Sequence, residues 1–264
     1  ADVDHALADT GDAQGLDRWS GHSGFVLCSN SHHATSRMRR HKTTMGKPLP
    51  ELFPEPTVIP VVTVDENDSA VAVASALQRA GLPIMELTLR TPGAWAAAAA
   101  VRAACPDLLL GIGTVMTTAQ LDQAIDIGAS FAVSPGFAPA LARAAIPVTI
   151  AYLPGVASPG ELMQASELGY AAVKVFPAAQ LGGPDVLRQF GHLMPGMTFC
   201  PTGGISEASL ADYLAVPGVF AVGGSWLAPR ASIEARDWAG IEARARRALD
   251  ICRGTQSPAK DAPQ

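Results

Sequence analysis

Eight short runs of β-branched and apolar residues recur along this chain, at 58–64, 83–90, 108–115, 131–136, 147–153, 171–177, 197–204 and 219–226. Each is followed by a segment with helical spacing of its apolar residues. Strands separated by helix-length connections run parallel, and their crossovers are right-handed. The connecting segments carry start and stop signals. Pro92 after Thr91 stands at an expected first helical position, residues 117–120 read as a capping box, and Ser158-Pro159-Gly160-Glu161 joins an N-cap to a proline at the next position. Gly81, Gly128 and Gly169 stand where helices should stop. In the last segment Trp238, Ile241, Ala245, Leu249 and Cys252 recur at helical spacing ahead of Gly254. A parallel sheet closed on itself has no edge, so the expected fold is α/β, a single (β/α)8 TIM barrel. A doubly wound open sheet is the alternative. It would carry a glycine-rich dinucleotide turn after the first strand, where this chain has Val64-Asp65-Glu66-Asn67.

A length of 264 residues suits one such barrel, and 48% hydrophobic residues can furnish its core. Residues 1–50 differ in character, being polar and rich in His, Ser, Asp and Gly, with a basic stretch from Arg37 to Lys47. A disordered extension or leader is expected at 1–50, the barrel at 51–254 and a flexible tail at 255–264. The extension reads as a targeting or nucleic-acid arm, a leader, or an overextended reading frame ahead of Met45, and no function is assigned to it.

The net charge of −5 offers no basic face for a phosphate backbone, so no nucleic-acid partner is expected. No run approaches the roughly 18 apolar residues of a membrane span, and the start lacks the order of a signal peptide. A cytoplasmic protein with no membrane partner is the expectation. Cys28, Cys105, Cys200 and Cys252 are far apart and form no CxxC, which reads as reduced thiols. Five of the six histidines lie at or before His41. That leaves only His192, in a loop-like segment at 190–195, for an imidazole metal centre or a Ser-His-Asp triad, so no metal is expected.

Lysine usage is more telling. Between Pro48 and Ala259 the chain holds eleven arginines and one lysine, Lys174, inside the apolar run 171–177. Arg stays charged when buried, whereas an amine removed from water loses its proton more readily and can attack a carbonyl. Lys174 is thus the candidate imine-forming nucleophile. The alternative is an ammonium snorkelling to the sheet end. In the second run, strict alternation puts Glu86, Thr88 and Arg90 on one face, and by the same parity Lys174 shares a face with Phe176. Glu86 and Arg90 read either as site residues or as a structural ion pair, and such pairs contribute little net stability.

In a barrel the site lies at the C-terminal strand ends. The third run ends at Gly113 and Thr114, offering close backbone approach and a hydroxyl for a carboxylate, and the fourth ends Ser134-Pro135-Gly136. The seventh and eighth end Thr202-Gly203-Gly204 and Gly223-Gly224-Ser225. Paired glycines after the last two strands suit a phosphate cradle, with Ser206 and Ser225 as further donors.

In order, Glu86-Leu-Thr-Leu-Arg90-Thr, Gly111-Ile-Gly-Thr114-Val, Ser134-Pro-Gly, Val173-Lys174-Val-Phe-Pro177, Cys200-Pro-Thr202-Gly-Gly-Ile-Ser and Gly223-Gly-Ser-Trp226 closely resemble the 2-keto-3-deoxy-6-phosphogluconate (KDPG) aldolases, which also cleave 4-hydroxy-2-oxoglutarate. The likeness spans about 58–250. It implies a class I mechanism without metal or cofactor, with Lys174 forming the imine and Glu86 moving protons. It further implies that Arg90 and Thr114 hold the pyruvyl carboxylate and that Pro135 and Phe176 wall the apolar side. Thr202, Gly203, Gly204, Gly224 and Ser225 would hold the distal phosphate and hydroxyls. The implied partner is a phosphorylated keto acid, the implied assembly a homotrimer, and the implied setting the Entner-Doudoroff pathway.

A sibling family acting on the galacto epimer generally lacks the equivalents of Arg90 and Thr202, which favours the gluconate substrate. The fifth run differs from the familiar pattern at Ala151 and Tyr152, next to the mouth. A phosphosugar isomerase or epimerase, with Glu86 as base and no covalent adduct, is the competing enzyme class. A non-catalytic phosphoester-binding barrel is the third reading.

Overall fold

The computed structural model describes residues 48–53 and 55–255. Apart from their inner ends, the extension and tail expected at 1–50 and 255–264 lie outside the described residues. The inner end of the extension is already part of the fold: a 3-10 turn at Leu49–Leu52 buries Leu49 in the core.

Nine strands are present among the described residues: β1 (Thr57–Val62), β2 (Ile84–Thr88), β3 (Leu109–Gly113), β4 (Phe131–Val133), β5 (Ala151–Leu153), β6 (Gly155–Val156), β7 (Ala172–Val175), β8 (Thr198–Pro201) and β9 (Ala221–Gly224). The helices are α1 (Asn67–Arg79), α2 (Ala94–Ala104), α3 (Thr118–Asp126), α4 (Pro139–Ala145), α5 (Pro159–Glu167), α6 (Pro184–Leu193), α7 (Leu210–Leu214), α8 (Arg230–Glu234) and α9 (Trp238–Gly254). Every strand pairing is parallel. The fold is α/β, and a six-stranded sheet in the order β5-β4-β3-β2-β1-β9 forms a half-barrel. A three-stranded sheet follows the order β6-β7-β8, and isolated parallel bridges join Phe199 to Val219 and Thr202 to Gly223.

The eight expected runs appear as nine strands because the fifth is broken. Expected at 147–153, it begins only at Ala151, stops at Leu153 and resumes at Gly155. Pro154 between the two pieces has no N–H to give a ladder. On one side of it β5 pairs with β4, on the other β6 pairs with β7, and the Pro154 carbonyl accepts the Lys174 N–H at 2.9 Å. Most of the other strands also end a few residues short of their expected limits. The residues released there are the polar and glycine positions of the candidate site.

Helices cover the strands, so β2 is buried along its whole length, as parallel strands usually are. Helix α1 contributes Ala70, Val73, Ala74 and Leu77 from one stripe. Phe131 at the start of β4 fills the space beside Gly111, where an added Cβ would overlap its ring. The capping box is present: Thr117 accepts the Gln120 N–H at 3.2 Å, and Gln120 Oε1 accepts the Thr117 N–H at 3.2 Å. Ser158 caps α5, and Glu161 Oε2 reaches back to the Ala157 N–H at 2.6 Å. Gly81, Gly128 and Gly169 take positive φ just past their helices, where a Cβ would be strained.

Two local expectations are corrected. Pro92 does not open α2, which starts at Ala94. The Thr91 hydroxyl instead donates to the Val64 carbonyl at 2.8 Å, and Asp65 Oδ1 accepts the Gly93 N–H at 2.6 Å, so this turn is pinned to the exit of β1. His192 is helical, in the last turn of α6, because the apolar spacing of Leu187 and Phe190 carries the helix through it.

Thr117→Ala removes the reciprocal cap of α3 and should cost about 1 kcal/mol of stability. Urea unfolding of the two proteins side by side measures it.

Candidate active site

All four residues of β7 are buried, so parity alone decides which side each takes. Val173 and Val175 share one face, and Lys174 projects from the other. Its Nζ lies 3.1 Å from Glu86 Oε1, with the two side chains only 5% and 4% exposed. Glu86 comes from the middle of β2, so residues 88 positions apart meet in the interior. Phe176 stands beside the amine, with its ring centroid 5.6 Å from Nζ.

This geometry settles the local alternatives raised by the sequence. The amine does not snorkel to solvent, and Glu86 is paired with Lys174 rather than with Arg90. The Arg90 side chain is exposed and has no hydrogen-bonding partner among the described residues. Taking two charges out of water is costly, and their mutual attraction offsets that cost only in part. The pair is thus poor as a device for stability.

Neighbouring positions are shaped around it. A Cβ at Gly113 would overlap Glu86 Oε1, so the glycine that ends β3 makes room for the carboxyl. The openness that sequence reasoning assigned to a ligand at Gly113 is taken by Glu86. Cys200 is the register partner of Lys174 on β8. Burial pushes its thiol up to about 12, against a smaller opposing influence from Lys174, so it stays protonated and unreactive.

Around the buried pair, exposure increases outward. Thr114, Pro135 and Phe176 are half-buried, and Arg90, Gly204 and Ser225 are exposed. Thr114 has φ 62, a left-handed conformation uncommon for a β-branched residue. Sequence reasoning found this residue but not its backbone state, which no motif encodes.

Gly203 and Gly204 take φ 97 and φ 73. The carbonyls of Thr202 and Gly203 accept the N–H groups of Ala178 and Ala179 at 2.8 and 3.1 Å, which ties the oxygen side of the turn to the loop after β7. The N–H groups of Gly204 and Ser225 have no protein acceptor among the described residues. They form a set of free donors suited to an anion. Thr202 is buried, and a Cβ at Gly223 would overlap its Oγ1. Gly224 similarly yields space to the Trp226 ring. Ser206, expected as a further donor, is engaged with Ser209 instead: the two hydroxyls lie 3.3 Å apart, and Ser206 Oγ accepts the Ser209 N–H. Sequence reasoning missed one other feature of the site wall, a hydrogen bond from the Tyr152 hydroxyl to Ser134 Oγ at 2.8 Å. Its only signal was an unfamiliar tyrosine beside Pro154.

Compared with known proteins, residues 51–244 match the sequence model of the KDPG and KHG aldolases. The chain belongs to this aldolase family. It is 42% identical over 196 residues to the 2-dehydro-3-deoxy-phosphogluconate aldolase of Pseudomonas aeruginosa, covering 74% of this chain and 89% of the relative. Over 193 residues it is 40% identical to the KHG/KDPG aldolase of Escherichia coli K12, covering 73% and 91%. Among solved structures, KDPG aldolase from Legionella pneumophila superposes with a TM-score of 0.73 at 39% identity, over 75% of this chain and 97% of that one. In that structure pyruvate is captured at low pH as a covalent carbinolamine intermediate.

Removing one partner of the buried pair should expose its cost. Glu86→Leu is expected to destabilise the protein by about 3–5 kcal/mol near neutral pH, because an ammonium is left without a counter-charge. Glu86→Leu combined with Lys174→Met should recover most of that loss, as chemical denaturation of both variants would show.

Proposed function

We propose that this chain is a class I aldolase that cleaves KDPG to pyruvate and glyceraldehyde 3-phosphate, and 4-hydroxy-2-oxoglutarate to pyruvate and glyoxylate. The observation that carries the reading is the desolvated amine of Lys174 at 3.1 Å from the Glu86 carboxyl. The aldolase names of relatives about 40% identical over most of their length support it.

The Lys174 amine attacks the keto carbon of the substrate, and loss of water from the carbinolamine gives a protonated imine. Glu86, acting through a water, supplies and removes the protons of these steps. Glu86 next takes the proton of the C4 hydroxyl. The C3–C4 bond breaks, its electron pair moves to the iminium nitrogen as an enamine, and the aldehyde departs. Protonation of the enamine at C3 and hydrolysis of the imine release pyruvate and restore the amine.

Arg90 and Thr114 hold the carboxylate. The unpartnered Arg90 guanidinium supports this, since a charged donor fork at the mouth is available to a carboxylate. Pro135 and Phe176 wall the apolar side. Thr202, Gly203, Gly204, Gly224 and Ser225 hold the far end of the substrate, a role supported by the free N–H groups of their turns. Arg90 and Thr202 favour the gluconate epimer over the galactonate one.

The fold reads as a closed (β/α)8 barrel at 51–254. Support comes from the β8–β9 bridges at one seam and from the single residue, Pro154, between β5 and β6 at the other. A homotrimeric cytoplasmic enzyme of the Entner-Doudoroff pathway completes the proposal. Among the described residues no helix is long and apolar enough to cross a membrane.

Pyruvate plus borohydride should fix a three-carbon mass to Lys174 on peptide mapping. Unmodified protein would reject imine chemistry and return the field to a proton-transferring isomerase. Lys174→Arg should abolish turnover while phosphate affinity persists. Because a Cβ at Gly224 would overlap Trp226, the exposed Ser225 is the cleaner place to introduce charge. Ser225→Asp should raise KM for KDPG roughly tenfold or more and leave 4-hydroxy-2-oxoglutarate nearly unaffected. Steady-state kinetics on the two substrates separates these outcomes.

A further inference from the structure

The buried hydroxyl of Ser134 has all of its hydrogen-bonding capacity in use. It donates to the Gly136 carbonyl at 2.9 Å, accepts the Gly155 N–H at 3.1 Å and accepts the Tyr152 hydroxyl at 2.8 Å. A serine hydroxyl has one proton and two lone pairs, so this set is complete. The three partners belong to different segments: the turn leaving β4, the strand β5, and the first residue of β6.

This is the place where the sheet is interrupted. β5 ends at Leu153, and Pro154 cannot donate. The Ser134 side chain takes over where the β4–β5 ladder stops, supplying the acceptor for the buried Gly155 N–H. Gly155 is the register partner of Lys174. It also has no room for a side chain, because an added Cβ would overlap the backbone of Ser134, Pro135 and Gly136. The turn carrying Pro135 is thus pressed directly onto the residue that faces the lysine.

Tyr152 holds this arrangement from behind. Its ring packs edge-on against Tyr170, with centroids 5.9 Å apart, which fixes the direction of the hydroxyl. Burial raises its pKa to about 12, partly opposed by the bond to Ser134. The phenol therefore remains a donor throughout the neutral range.

We infer that Tyr152 is a positioning residue for the imine chemistry, acting through Ser134 to fix the 134–136 turn and Gly155 against the strand that carries Lys174. The inference rests on the aldolase reading above. Tyr152 does not touch the substrate. Its hydroxyl sets how firmly the wall beside the amine is held, and displacements well below an ångström at a reacting centre change rates.

The test compares the full-length wild type with Tyr152→Phe, which keeps the ring and removes only the hydroxyl. Tyr152→Phe is expected to lower kcat about tenfold on both KDPG and 4-hydroxy-2-oxoglutarate, with each KM within about twofold of the wild type. The rate of borohydride-trapped adduct formation with pyruvate should fall in parallel. Ser134→Ala, which also leaves the Gly155 N–H without its acceptor, should lose at least as much and serves as the second variant if the first folds poorly. Melting temperatures recorded alongside separate stability from positioning. A lower melting temperature with unchanged kcat and unchanged adduct rate per folded enzyme would overturn the inference and reduce Tyr152 to a packing residue. If the wild type itself forms no adduct with pyruvate, the aldolase reading fails and this inference fails with it.

Discussion

The contact between Lys174 and Glu86 is the constraint around which the rest of the interior is arranged. An amine and a carboxyl at 3.1 Å, each almost fully removed from water, are held there only by a rigid surround. Burial favours the uncharged forms, while each charge favours the other. The surrounding strands keep the two groups in contact and away from water. The wall that performs this task comes from separate strands: β2 brings the acid, β7 the amine, β3 withholds a side chain, and β8 contributes a thiol that stays protonated.

Outside this pair the parallel fold acts as a graded approach. Parallel strands point all of their C-terminal ends one way, so residues that leave the ladders gather on one rim. Charge and polarity lie at the rim, in Arg90 and Ser225, and half-buried groups such as Thr114 and Phe176 lie between rim and pair. A ligand with an anionic group at each end and a carbonyl near one of them matches that gradient. The glycine turns at 203–204 and 223–224 act by different physical means. The first frees the Gly204 N–H by turning its carbonyls toward Ala178 and Ala179. The second leaves space for Thr202 and Trp226.

Much of this was legible in the sequence because it depends on period and composition. Alternation by two placed Glu86 and Lys174 on inward faces, and scarcity of lysine singled out the amine. The capping box at Thr117 was readable from four consecutive residues. The illegible features depend on distant parts of the chain meeting. That Gly113 yields to Glu86, that Ser206 hydrogen-bonds with Ser209, and that β5 breaks at Pro154 all depend on neighbours the sequence does not reveal. Pro92 misled for the same reason, since its turn is claimed by Val64 and Asp65 from the loop that leaves β1. The family resemblance implied a role for Pro135, which the pattern alone left as ordinary turn chemistry.

The missing side chain at Gly113 bears on how such a protein can be altered. Because the carboxyl of Glu86 occupies the volume a methyl group would need, position 113 cannot drift without evicting the acid. The rim has no comparable lock, since Ser225 and Arg90 face open solvent. Directed evolution of this scaffold toward new aldehydes therefore has latitude at its outer edge and almost none at the third strand.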